Sequence, residues 1–267
     1  MKMLNLNNSI RNIFGSPVYY FEKCGSTMDE GRLFAHAGAA HGTVVTADFQ
    51  QAGRGRIQGR KWESEPKSNL LCTIILHYDS FADIPQGLTL RAGLAVSEAL
   101  ETLWPELAEN VKIKWPNDIM LDNKKLCGIL TESDGNYVFI GIGVNVFQRG
   151  FTSAPDAVSI EGALQKKAAS MRISAAADPR FLLLETILRF LCAGLETNAA
   201  WNEAVSERLY MKGRRVSFAE GAAESGAVLT GELLGIDTDG ALLLACGGGA
   251  EPRRCVAGEL HFGSADA

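Results

Sequence analysis

The chain reads as an α+β protein in two units, a larger sheet-and-helix unit over residues 1–211 and a small all-β unit over 212–267. Three observations carry that reading. Short apolar runs with strand character follow one another between residues 111 and 146, close enough to be neighbours in one sheet. Stretches with apolar residues at helical spacing flank them on both sides. After Met211 the composition changes to short β-like runs broken by Asp-Gly and Gly-rich turns, which suggests a small barrel.

The elements follow in order. A helix is expected over 27–37, because Thr27 and Glu30 stand at capping-box spacing, Asp29 and Glu30 occupy the first turn, and Gly38 ends it. Strands are expected at 43–48 (TVVTAD) and 70–76 (LLCTIIL). Residues 88–104 form an amphipathic helix in which Val96, Ala99, Leu100 and Leu103 share a face and Pro105 is the stop. Then come VKIKW (111–115), IML (119–121), a DNKK turn, LCGILTE (126–132) and YVFIGIGVNV (137–146). Asp178 and Pro179 start a long helix by their N-cap and first-turn preferences, with Phe181, Leu184, Leu188, Leu191 and Leu195 on its apolar stripe. A further helix is expected over 199–210. In the small unit, GRRVSF, VLTGELLGI, ALLLAC and RRCVAGELHF read as strands, and TDG at 238–240 is a hairpin signal. The GGG at 247–249 is a loop tip; no helix follows it to make a phosphate cradle.

Composition narrows the function classes. With 46% hydrophobic and 21% charged residues, the chain can bury an ordinary core. Its net charge of −5 excludes a globally basic nucleic-acid binder, so any cationic chemistry is local. The six cysteines form no CxxC pair, which argues against a disulfide framework or structural zinc and for a reducing compartment. The first residues show no apolar leader, and no run approaches the ~18 apolar residues that span a bilayer. The expectation is a soluble, cytoplasmic protein with no membrane partner.

The segment 50–62, QQAGRGRIQGRKW, interleaves three glycines with three arginines and follows a strand. Gly53 and Gly55 are expected to allow positive φ and close approach to a ligand. Arg54, Arg56 and Arg60 offer planar forks for phosphate or carboxylate. Gly53, Gly55 and Gly59 do not have dinucleotide-fingerprint spacing, and no GK[ST] occurs for a Walker loop. A solvated basic loop is the plainer alternative.

Three further constellations accompany it. In KWPND, Pro116 forces a rigid turn at a strand end, so Asn117 and Asp118 project as ligand contacts or serve as a turn cap. Alternation places Lys112 and Lys114 on one face, which is either wet or ligand-facing. In KKLCGIL, Lys125 lies near Gly128, which would admit a ligand to the backbone; an exposed hairpin lysine would look the same. In GIGVN, Gly141 and Gly143 clear one face of a buried strand and Asn145 ends it, as a nucleotide contact or for close packing.

GRGRxxGRxW (53–62), KWPND (114–118), KLCGIL (125–130) and GIGVN (141–145) stand in the order found in biotin protein ligases, and the chain resembles that family over essentially its whole length. The resemblance implies a mixed sheet with helices related to class II aminoacyl-tRNA synthetases, followed by an SH3-like barrel. It implies an ATP-dependent biotin–[acetyl-CoA-carboxylase] ligase, which forms biotinyl-5′-AMP and then transfers biotin to a lysine of a biotin carboxyl carrier protein. ATP and Mg²⁺ are the implied cofactors, biotin is a substrate, and the protein itself holds no fixed metal. By motif match, Arg56, Lys114 and Lys125 are the catalytic residues. Ser26, Thr27, Gln50, Arg54, Gly55, Arg56, Lys125 and Gly128 face biotin; Arg54, Arg56, Trp62, Asn117, Asp118 and Asn145 face the nucleotide. The glycine–arginine loop is then a disorder-to-order lid over the acyl-adenylate.

Two departures carry expectations. Met28 follows Ser26-Thr27 where relatives often have Asn, which puts one head-group hydrogen bond of the resemblance in question. The stretch before Ser26 is too short for the helix-turn-helix domain of repressor relatives, so no DNA partner is expected. Pairing through a sheet edge, as in relatives, leaves a homodimer open. A lipoate ligase is the rival enzyme, for which a different glycine-rich loop and no KWPND are expected. A non-catalytic RNA-binding module is opposed by the acidic total charge and the loop's lack of interleaved aromatics.

Overall fold

The computed structural model describes residues 3–6, 9–57, 59–152, 154–167, 178–197, 200–221, 228–247 and 251–261. The expected strands join one sheet: β1 (Met3–Asn5), β2 (Val18–Phe21), β3 (Thr43–Ala47), β4 (Asn69–His77), β5 (Val111–Lys114), β6 (Asp118–Leu121), β7 (Lys124–Asp134) and β8 (Tyr137–Asn145). Their order is β1-β2-β3-β4-β8-β7-β6-β5. Only β2 and β3 run parallel, so the sheet is mixed. Asp122 and Asn123 both take positive φ (50° and 63°), which makes the β6–β7 connection the tight hairpin turn that Asp and Asn tolerate. Strands β1 and β2 are too short or too mixed in polarity to have announced themselves.

The near-continuous apolar character of β4 and β8 has a simple cause: both faces of the sheet are covered. Even-numbered residues Leu70, Ile74, Ile140, Ile142 and Val144 join the main core. They face α2 (Leu88–Leu103) and α4 (Pro179–Glu196), which pack on one another. Odd-numbered Ile75 and Phe139 join a second cluster with Met28 and Ala35 of α1 (Thr27–His36) on the other face. In α2, Val96, Ala99 and Leu100 are buried and Leu103 is partly so; in α4, Leu184, Leu188 and Leu191 are buried, with Phe181 and Leu195 packed beside them. Helix α3 (Ile160–Lys166) was not expected, and α5 is Trp201–Glu207, shorter than the expected 199–210, whose first residue lies outside the described set.

The small unit is an antiparallel sheet of β9 (Arg215–Glu220), β10 (Val228–Ile236), β11 (Leu242–Ala245), β12 (Arg253–Cys255) and β13 (Gly258–His261), ordered β12-β11-β10-β9-β13. RRCVAGELHF is thus two strands, not one: Gly258 turns the chain with φ +155° and β13 pairs with β9 on the far side. Among the described residues no ladder joins β12 to β13, so the sheet is not closed as a barrel. TDG turns β10 into β11 as expected, with Gly240 at φ +94°; of the GGG tip, 248 and 249 lie outside the described residues. The two units are stitched together. Trp115 Nε1 donates to Gly240 O (3.0 Å) and Ile236 N to Ser206 Oγ (2.9 Å). No described helix is long and apolar enough to cross a membrane.

One buried ionic group fixes the exit of β3. Asp48 is 3% exposed. It accepts from Arg180 Nη1 (2.8 Å) and from the Tyr20 hydroxyl (2.5 Å). Arg180 also binds Asp178, the N-cap of α4 (2.6 Å). Arg180→Ala leaves a buried carboxylate without its cation and is expected to cost roughly 3–5 kcal/mol. Urea unfolding measures this; a loss below about 1 kcal/mol would contradict the assignment.

Candidate active site

Two residues past Asp48 the chain meets the start of α1. Ser26, in extended geometry (φ −154°, ψ 140°), is the N-cap, and its hydroxyl accepts from Met28 N. This corrects the expected Thr27–Glu30 capping box. Because Ser26 caps the helix, Thr27 is free to point inward: its N–H and hydroxyl both donate to Gln50 Oε1 (2.7 and 3.1 Å), and Thr73 Oγ1 donates to Thr27 Oγ1 (2.9 Å).

After Gln50 the glycine–arginine segment folds back on itself. Gly55 N donates to Arg60 O (2.8 Å) and Trp62 N to Gly53 O (3.0 Å). Positive φ falls on Gly59 (86°), not on Gly53 or Gly55 as expected. Gly53 serves close approach instead: a Cβ there would stand 2.8 Å from Trp62 O.

The hairpin's last residue, Trp62, lies flat on the sheet. Gly128 of β7 and Gly143 of β8 are paired directly across the ladder. A Cβ on Gly143 would come 2.6 Å from Trp62 Cε2, and one on Gly128 2.9 Å from Cζ3. The same logic places Met28, whose sulfur would be 2.9 Å from a Cβ on Gly141. The residue that broke the expected Ser-Thr-Asn pattern therefore fills the strip that GIGVN clears. Trp62 Nε1 is buried with no hydrogen-bond partner, a condition that costs about 1–3 kcal/mol.

Three cations around this seat rest on carboxylates and a fourth, Arg56, on a backbone carbonyl. Arg54 grips Asp29 of α1 with both nitrogens (3.0 and 2.6 Å), which holds Asp29 below the usual carboxylate range. Lys125 Nζ is 2.7 Å from Asp118 Oδ1, an ionic contact without hydrogen-bond alignment, and 5.9 Å from the Trp62 ring centre. Arg60 reaches Glu259 (2.9 Å) and Arg56 the carbonyl of Gly258 (3.3 Å). Burial lowers the Lys114 pKa, opposed by the charges of Asp118 and Glu259 and assisted by Lys125 and Arg60.

Two cavities result. The inner one, about 70 Å³, has Ser26, Thr27 and Gln50 at its polar end; Arg54, Gly55, Asn117 and Gly128 also line it, with Cys72, Ile129 and Leu130 as apolar wall. The outer one, about 630 Å³, is lined by Arg60, Lys114, Asp118, Asn145 and Glu259. Gly55, Arg56, Trp62, Asn117 and Lys125 belong to both. Two expected ligand contacts are also braces: Asn117 Nδ2 donates to Ile129 O (2.8 Å) and Asn145 Nδ2 to Val158 O (3.1 Å). Sequence reasoning missed Asp29, Met28 and Glu259; only Met28 left a signal, as a departure from pattern. An inner slot with amide and hydroxyl groups at its end suits a compact polar ring, and a cationic outer chamber suits an anion.

A family model described as the biotin/lipoate A/B protein ligase family matches residues 21–145. Among curated proteins, the chain is 34% identical over 177 residues to the bifunctional ligase/repressor BirA of Bacillus subtilis, covering 64% of this chain and 53% of that one. The chain thus spans about half the length of the curated relatives it matches first. It is 35% identical over 229 residues to the biotin–[acetyl-CoA-carboxylase] ligase of Paracoccus denitrificans, covering 82% of this chain and 90% of that one. The biotin protein ligase of Aquifex aeolicus, solved with biotin and ATP, superposes with a TM-score of 0.71 at 25% identity, over 91% of this chain and 97% of that one.

The paired-glycine seat makes a direct prediction. Gly143→Ala puts a methyl inside the Trp62 indole and is expected to expel it from the sheet. The difference between Gly143→Ala spectra with and without Trp62→Phe isolates this indole's fluorescence, which should shift to the red of the corresponding difference in the parent protein. An unshifted spectrum would contradict the contact.

Proposed function

The chain belongs to the biotin protein ligase family, and on that premise we propose that it is an ATP-dependent biotin–[acetyl-CoA-carboxylase] ligase. The observation that carries this reading is that Gly55, Arg56, Trp62, Asn117 and Lys125 line both cavities, so a ligand in the inner slot would meet one in the outer chamber at these residues. Biotin's ureido ring takes the polar end at Ser26, Thr27 and Gln50, and its tail runs over the glycine strip once Trp62 turns aside. ATP takes the outer chamber, near Asn117, Asp118 and Asn145.

The chemistry follows from the charges. A carboxylate oxygen of biotin attacks the α-phosphorus, the bond to pyrophosphate breaks, and biotinyl-5′-AMP forms. Two anions must approach one another, and Arg54, Arg56 and Lys125 offset their repulsion by exchanging protein oxygens for ligand oxygens. Lys114 supports the second step, in which a carrier-protein lysine attacks the acyl carbon, AMP leaves and the amine loses its proton. Mg²⁺ would arrive on the triphosphate; Glu63, Asp118 and Glu259, which line the outer chamber, are the carboxylates it would meet. The small sheet would be the SH3-like domain of this family, with the boundary at residue 212.

Lipoate ligation is the rival within the matched family, and the KWPND turn supports biotin over it. The reading is tested by incubating a carrier domain with biotin, ATP and Mg²⁺ and weighing its acceptor lysine. A mass gain of one biotinyl group that needs all three is expected; a gain with lipoate alone would overturn the reading. Arg56→Gly should let the adenylate escape, which a bystander such as albumin would report as stray biotinylation. No rise above the parent protein counts against the role given to Arg56. A lost phosphate contact of this kind costs roughly 2–4 kcal/mol of transition-state stabilisation.

A further inference from the structure

The glycine–arginine hairpin ends two of its cations on the small sheet, not on the unit that carries it. Arg60 spans about two hundred residues of sequence to reach Glu259, with Nη1 at 2.9 Å from Oε1 and Nη2 at 3.5 Å from Oε2. Arg56 donates to the neighbouring carbonyl of Gly258 at 3.3 Å. We propose that Glu259 is a positioning residue: it holds the hairpin, residues 53–57 and 59–62, over the cleft and is the anion that Arg60 gives up when a polyphosphate enters. The proposal deepens the reading above, since the polyphosphate it names is the nucleotide of that reaction.

Three features make Glu259 an anchor and not a passing partner. Its side chain is 19% exposed against 61% for Arg60, so the carboxylate is wall and the guanidinium is the movable end. Its backbone cannot drift: a Cβ on Gly258 would stand 2.3 Å from Ala219 O, and Glu259 pairs with Ala219 in the β9–β13 ladder. The sheet bearing it is fixed to the larger unit through Trp115–Gly240 and Ser206–Ile236. Partial burial tends to raise the Glu259 pKa, but the Arg60 hydrogen bond and the charges of Arg60, His261 and Arg56 outweigh it and hold the group ionised.

Glu259 also faces Lys114 across the outer chamber. One carboxylate therefore offsets three of the chamber's cations without touching reacting atoms. A phosphate placed there competes with it for the same forks, and Arg's fixed geometry suits either anion.

The test uses the full chain without substrates. Amide hydrogen exchange, followed by mass spectrometry, compares the hairpin with β4 and β10 in the parent protein, in Glu259→Gln, and in the exchanged pair Arg60→Glu with Glu259→Arg. Glu259→Gln keeps the shape and removes the charge. It is expected to speed exchange in the hairpin about threefold, the scale of a partly exposed ion pair, and to leave β4 and β10 unchanged. The exchanged pair is expected to restore protection. Unchanged hairpin exchange in Glu259→Gln would overturn the proposal. So would faster exchange in β10 alongside it, or failure of the exchanged pair to restore protection. Because no substrate is present, a protein that passes this test yet fails to biotinylate a carrier would count against the proposed reaction and not against the anchor.

Discussion

Gly128 and Gly143 sit opposite one another on neighbouring strands, and the absence of two β-carbons there is what makes a cleft possible on an otherwise closed sheet. Elsewhere on that face, Met28 and Ala35 of α1 pack with Ile75 and Phe139. At this one place the backbone itself is the floor, and a flat ring can lie on it. Trp62 takes the floor near the hairpin and Met28 takes it over Gly141, so the space stays filled by side chains. The unsatisfied indole N–H of Trp62 makes that filling less than ideal, which suits a side chain meant to yield to a ligand.

Electrostatics around the floor follow the same plan. Arg54 rests on Asp29, Lys125 on Asp118 and Arg60 on Glu259. Holding cations without carboxylates in so small a space would cost like-charge repulsion. Paired in this way they are stored at little cost, and the pairs are partly exposed, so each is weak enough to exchange for a ligand oxygen. The buried Asp48–Arg180 pair behaves oppositely. It is shielded from water and fixes where β3 ends, and with it where Gln50 and the hairpin begin.

The larger fold was legible because its strands are buried on both faces and its helices carry continuous stripes, so periodicity and apolar runs point the same way. Short edges such as β1 and β2 carry too few residues to show a period. The site was legible motif by motif but not as a contact map. Gly128 and Gly143 each look bare in sequence, yet their pairing depends on a register set by the β7–β8 hairpin. Ser26 and Thr27 are both competent caps, and only the backbone turn at Ser26 decides which one caps and which faces the cleft. Glu259 stood beyond reach, since nothing local ties a strand of the small sheet to an arginine in the hairpin.

On the proposed reaction, one ligand in the inner slot and one in the outer chamber would react where Gly55, Arg56, Trp62, Asn117 and Lys125 line both. Exchange of labelled pyrophosphate into ATP, measured with the protein alone and no carrier, tests that junction most directly. Exchange that requires biotin and is not supported by lipoate is expected. Exchange that proceeds without biotin, or with lipoate in its place, would contradict the proposed reaction.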